Sequence, residues 1–133
     1  MISISSQLSS ELAQKLIEIG FIASNRGYFK EAEAIFNGLI SARPMSEYPL
    51  IGLAFNHMNS GNTVLGMKIL ADQALKLNPD SQMAQLYLGL AMRLSNLNSY
   101  AEDILSQVVE NGKDPQAVNA AQLLLADIRR THV

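Results

Sequence analysis

The chain of 133 residues has room for one domain of ordinary size, and its 10 Lys plus Arg against 12 Asp plus Glu leave a formal charge of −2, so no basic field exists for a phosphate backbone to meet. Hydrophobic residues are 48% and charged residues 17%, which excludes a disordered chain and is greasier than a well-solvated monomer needs. With no cysteine, a disulfide framework, a thiolate metal site and a cysteine nucleophile are excluded, in keeping with a reducing cytoplasm.

The opening Met1 to Ser10 is Ser-rich, with neither a basic stretch nor an apolar core, and does not read as a secretory signal. From there Leu12, Leu16, Ile19, Ile22 and Ala23 recur at the three-and-four spacing of one buried helix face. A second helix from about Tyr28 places Ala32, Ile35, Phe36 and Leu39 on one face, and Pro44 ends it by removing a donor and crowding the previous turn. The same pattern continues over Tyr48–Asn59, Thr63–Leu77, Ser81–Leu94, Tyr100–Glu110 and Pro115–Arg130, giving seven helices and no strand. Gly27, Gly61 and Gly112 stand where a left-handed residue closes a helix, Asp80 and Ser81 are candidates for one N-terminal cap, and Asp114-Pro115 is a second helix start. The longest apolar run, Leu86 to Met92, is far short of the roughly 20 residues that span a bilayer, so no membrane span is expected.

Several residue classes recur together. Gly20, Ala54 and Gly89 stand 34 and 35 apart, as do Ala32, Gly66 and Ala101, and Phe36, Leu70 and Leu105; Pro44, Pro79 and Pro115 follow at 35 and 36. Small residues recurring with a partner aromatic or leucine let two helix backbones approach while the larger side chain fills the space beside them. The pattern resembles the tetratricopeptide repeat, an antiparallel helix pair of 34 residues with small residues at the crossing and a proline after the second helix. The matching positions are Leu16, Ile19, Gly20, Ala23, Gly27, Ala32, Phe36 and Pro44 in the first unit, and Leu88, Gly89, Met92, Ala101 and Leu105 in the third. The family's Trp is absent, and Gly66 and Leu70 depart from its Ala and aromatic. The resemblance implies an all-α fold: three tetratricopeptide-like pairs (8–44, 46–79 and 81–114) and a capping helix (115–130) in a short right-handed solenoid, with 1–133 forming a single domain. A generic helix bundle would share the amphipathic segments but not the repeat register.

In such a solenoid the first helix of each pair faces the concave side. The positions three before and one after the small crossing residue then give Ile17 and Phe21, Ile51 and Phe55, and Leu86 and Leu90 as an apolar row. By family resemblance, capture of a charged C-terminal tail would need Lys, Arg or Asn there, and none is present. A row this size calls for a cover. An amphipathic helix of a partner suits it, since that helix satisfies its own backbone hydrogen bonds. Met58 and Met83, with Met45 and Met92 nearby, are flexible side chains suited to an adaptable surface or to core filling. The alternatives are a C-terminal helix folded back over Phe55 and Leu90, or a homodimer burying two grooves against each other.

Chemistry is sparse. His57 and His132 have no metal-ligand spacing, Glu31 and Glu33, like Glu102 and Asp103, are neighbours on a helix rather than a converging pair, and Gly61-Asn62-Thr63 lacks the lysine and length of a phosphate loop. The reading is a binding protein with no catalytic residue, metal or cofactor. Stretch 16–39 looks like the opening unit of small repeat proteins of bacterial type III secretion, and within that group is most similar to chaperones of the needle subunit. That resemblance implies a cytoplasmic chaperone that keeps a self-polymerising needle subunit monomeric by burying its amphipathic helix in the groove, often with a small helical co-chaperone. A translocator-class chaperone, which takes an extended segment in pockets for spaced side chains, and a homo-oligomeric scaffold without a client are the other readings.

Overall fold

In the computed structural model, which describes residues 8–131, the helices begin where side chains can cap them. Ser9 Oγ accepts from Leu12 N at 3.1 Å to start α1 (Ser10–Asn25), and Ser81 Oγ accepts from Ala84 N at 3.2 Å to start α5 (Gln82–Leu94). Asp114 Oδ1 accepts from Gln116 N and Ala117 N to start α7 (Pro115–Thr131), where Pro115 gives up a donor that had no partner. Between them lie α2 (Phe29–Ala42), α3 (Tyr48–Asn59), α4, which begins as Thr63–Ile69, and α6 (Asn98–Asn111). The described residues contain no strand.

The two helices of each pair are joined by the same turn three times. Tyr28 N donates to Ala23 O, Asn62 N to His57 O and Leu97 N to Met92 O, at 2.9, 2.7 and 2.8 Å, each across one residue of positive φ. That residue is Gly27 (84°), Gly61 (95°) and Asn96 (61°). Asparagine tolerates the left-handed region, so the third unit keeps the turn without the glycine that marks the other two. Gly112 (56°) closes α6 as the sequence predicts.

Close approach at the crossings fixes how the pairs stack. A methyl added at Gly20 would lie 2.6 Å from Phe36 Cζ, and one at Gly52 would collide with the same ring. Phe36, fully buried, is therefore wedged between α1 and α3. Gly89 receives Leu105 in the same way, 2.6 Å from where a methyl would stand. One core lies under the first pair around Ala13, Ala32, Phe36 and Leu39; another joins α3, α4 and α5 through Ala54, Leu70, Ala74 and Leu88. A third joins α5 and α6 to Ala117, Ala121, Leu125 and Ile128 of α7. The result is a short right-handed solenoid in which α1, α3, α5 and α7 stand side by side. By this packing α7 takes the place of a further first helix and does not fold back as a lid.

α4 departs from regular geometry. After Ile69 it passes through a π-helical turn, Leu70–Ala74, into a last α-helical turn, Leu75–Leu77. In α2 and α6 the buried pairs are three apart, Phe36 with Leu39 and Leu105 with Val108; in α4 they are four apart, Leu70 with Ala74. The wider turn takes up one additional residue and returns both side chains to the core, leaving Ala71, Asp72 and Gln73 exposed.

Polar groups pin the linkers. Gln82, 5% exposed, donates to Val108 O at 3.0 Å and accepts from Lys113 N and Asp114 N at 2.9 and 2.6 Å, fixing the α6–α7 loop. Glu47, buried before α3, accepts from Asn78 Nδ2 at 3.0 Å after α4. Asn56 Nδ2 donates to Phe29 O at 2.9 Å, tying α3 to the start of α2.

Candidate binding groove

The concave face is built from the first helices, and three rings occupy its centre. Phe21 of α1, Phe55 of α3 and Tyr87 of α5 lie with centroids 5.2, 5.6 and 6.0 Å apart, in tilted and edge-on arrangements that set ring edges against ring faces. Phe21 also meets Phe36 edge-on at 5.5 Å, so the cluster rests on the core.

Two hollows open beside this cluster. The first, of 660 Å³, has Ile17, Phe21, Ile22, Ile51, Met83 and the Tyr87 ring as its apolar lining, with Gln14, Glu18, Tyr48, Asp114 and Gln116 as its polar groups. The second, of 330 Å³, is lined by Phe55, Leu86, Tyr87, Leu90 and, from α7, Ala120, Leu123 and Leu124. Tyr87 belongs to both. Burial raises the pKa of its hydroxyl above the ordinary 10.0, so it stays a neutral donor through the physiological range. Tyr48 is shifted the same way, by burial first and then by the negative charges of Glu47 and Asp114.

The structure brings seven of the eight residues singled out from the sequence to these hollows. Ile17, Phe21, Ile51 and Met83 line the first, and Phe55, Leu86 and Leu90 the second. Ile51 and Leu86 are only 1% and 7% exposed and serve as floor, because α3 and α5 have neighbouring first helices on both sides whereas α1 has one. The structure places Met58 elsewhere: it is buried in the core, its Cγ 2.7 Å from where a methyl on Gly66 would stand, at the α3–α4 crossing. Met45 projects from the loop before α3, 81% exposed, and Met92 packs between two cores. The apolar and aromatic contributors that escape the sequence reading are Ile22, Tyr48, Tyr87, Ala120, Leu123 and Leu124, and the polar lining, Glu18 and Asp114 included, escapes it as well. Extending the two rows by a further 34 residues reaches Ala120 from Leu86 and Leu124 from Leu90, a signal that was present in the register. Tyr87 has no such signal, since the equivalent residue 35 earlier is Gly52.

His57 is half-buried on α3, and His132 lies outside the described residues. Arg129 pairs with Glu102 at 3.2 Å, and Arg93 with Asp127 at 3.4 Å, both joining α7 to the third pair. Asn25, on the first turn, accepts from Asn59 Nδ2 at 3.3 Å. No described helix is long and apolar enough to cross a membrane.

No protein-family model matches the chain, and no curated protein matches it in sequence. Solved structures match its fold. The Yersinia enterocolitica type III secretion chaperone SycD, in complex with a peptide of the translocator YopD, superposes with a TM-score of 0.70 at 14% identity over 94% of this chain and 98% of that one. The Sgt2 tetratricopeptide domain of Aspergillus fumigatus gives 0.72 at 21% identity over 92% and 80%. The first tetratricopeptide domain of Spaghetti (RPAP3), bound to the HSP90 peptide SRMEEVD, gives 0.70 at 18% identity over 97% and 98%. The concave-faced solenoid is thus a tetratricopeptide-like fold, and it resembles that of type III secretion chaperones.

Proposed function

We propose that this protein is a type III secretion chaperone that holds an apolar segment of a secreted subunit in its concave groove and keeps that subunit from aggregating in the cytoplasm. The carrying observation is the pair of hollows beside the Phe21, Phe55 and Tyr87 cluster, open apolar surface that a monomer has no reason to keep bare. The likeness to SycD over nearly the whole of both chains supports the fold this reading needs; Spaghetti matches over as much of both chains, so the choice between them rests on charge. Electrostatics argues against the alternative offered by Spaghetti: SRMEEVD carries three acidic side chains, whereas the first hollow presents Glu18 and Asp114 and no cation.

Two separate hollows suit an extended segment that inserts spaced side chains, which is the translocator-class reading. The needle-subunit reading, in which an amphipathic helix lies along the groove with a small helical co-chaperone beside the complex, is favoured by a different feature: the apolar row runs on from Phe55 and Leu90 to Leu123 and Leu124. Native mass spectrometry of the protein from its own host, with bound chains sequenced in the same run, separates these. A one-to-one complex with a large secreted subunit supports the first and a complex with a short helical subunit the second. A homodimer free of other chains overturns both in favour of a scaffold whose grooves cover each other.

A further inference from the structure

The two hollows differ in chemistry. The second is walled almost wholly by aliphatic and ring carbon from Phe55, Leu86, Leu90, Leu123 and Leu124. The first has an apolar lining but carries two carboxylates, Glu18 and Asp114, and none of its lining residues is Lys, Arg or His. The two acids are not equivalent. Asp114 already accepts from Gln116 N and Ala117 N at the start of α7, which offsets its charge, while Glu18 is exposed and makes no ion pair among the described residues. Glu18 lines the same hollow as Ile17, Phe21, Tyr48 and Tyr87, so a carboxylate borders a space shared with aromatic rings and aliphatic carbon. That combination accommodates a long side chain with an apolar stem and a cationic tip: the stem lies along the rings and the tip meets both the carboxylate and the negative ring face.

Resting on the reading of the groove as a client site, we infer that the client segment carries unlike anchors, a Lys or Arg whose stem fills the first hollow with its charge at Glu18, and an aliphatic side chain that fills the second. The segment then binds in one direction only, because reversing it would place a cation against Leu123 and Leu124, where nothing pairs with it.

The test uses fluorescein-labelled peptides of one Ala/Ser background, each carrying a leucine and, at spacings of three to eight residues, a lysine, a norleucine or a glutamate. At the spacing that binds most tightly, the full chain is expected to prefer lysine over norleucine by about fivefold at low salt, the range of a partly exposed ion pair with an added ring contact. Near 1 M salt, where the Debye length is about 3 Å, the preference shrinks. Glu18→Gln brings lysine binding down to the norleucine level measured on the same variant, and Glu18→Lys turns the preference toward glutamate. Equal binding of lysine and norleucine peptides overturns the charged anchor and leaves the groove reading standing. Failure of every peptide, with the variants folded by circular dichroism, overturns both.

Discussion

Tyr87 touches two rings and borders two hollows, so its ring and its hydroxyl can be tested apart. Because burial raises the hydroxyl's pKa in the fold, the unfolded chain is the first to lose that proton as pH rises. Its contribution to stability is complete below pH 10.0, the ordinary value, and is lost as pH climbs through the higher folded value. Tyr48 acts in the same direction. The urea midpoint is expected to fall above pH 10, and less steeply in Tyr87→Phe; identical slopes would acquit Tyr87. At Phe55 the issue is binding. Its ring is half-buried and central to the cluster, the position where an aromatic anchor carries most of an interface's energy. Phe55→Glu is expected to weaken client binding by about tenfold or more while far-UV circular dichroism keeps its helical signal; loss of that signal would make Phe55 a core residue first.

Between helices, the glycines separate room from closeness. Gly52 lies against the Phe36 ring and has no space for a methyl, whereas Gly38 on α2 is exposed with nothing within 4 Å. Gly52→Ala must displace a fully buried ring and is expected to cost about 1–3 kcal/mol, while Gly38→Ala is expected to stabilise by about 0.5–1 kcal/mol through helix propensity. Urea unfolding of the two single variants checks both signs. This contrast marks what the sequence discloses. Gly20, Phe36, Gly89 and Leu105 recur in register, and from them the crossings and the helix order are legible. Gly52 belongs to no repeated class, yet it is where α3 closes on Phe36. The groove was legible where a row repeats, as at Phe21, Phe55 and Leu90. It was not legible at Tyr87, which stands where the preceding unit has glycine, nor at Met58, whose place was decided by the space left by Gly66 on a neighbouring helix. Helix period says which face is apolar; it does not say which apolar side chain another helix will cover.

Across the whole molecule, each pair touches mainly its neighbours, so the angle at which one unit sits sets the position of all that follow. The groove crosses three such junctions, drawing its walls from α1 to α7, and the spacing of its hollows depends on keeping those angles. Here the π-helical turn of α4 has a meaning for how this chain can change its length. It sits on the outer helix of the middle pair, with its additional residue among exposed Ala71, Asp72 and Gln73. Removing one of these returns the turn to regular α-helical spacing, and everything downstream stays in phase. Deleting Asp72 is therefore expected to leave the melting temperature within a few degrees of the parent, as a change below about 1 kcal/mol would. Deleting Gln107 from α6, which has no spare residue between Leu105 and Val108, puts Val109 in the place of Val108 but draws the Gly112 turn and the Lys113 and Asp114 amides back by one residue from their bonds to buried Gln82, and is expected to cost several times more. Thermal melts of the two deletions decide it. If they differ as expected, α4 is a slip joint, a place where the gene can lose a codon without retuning the groove.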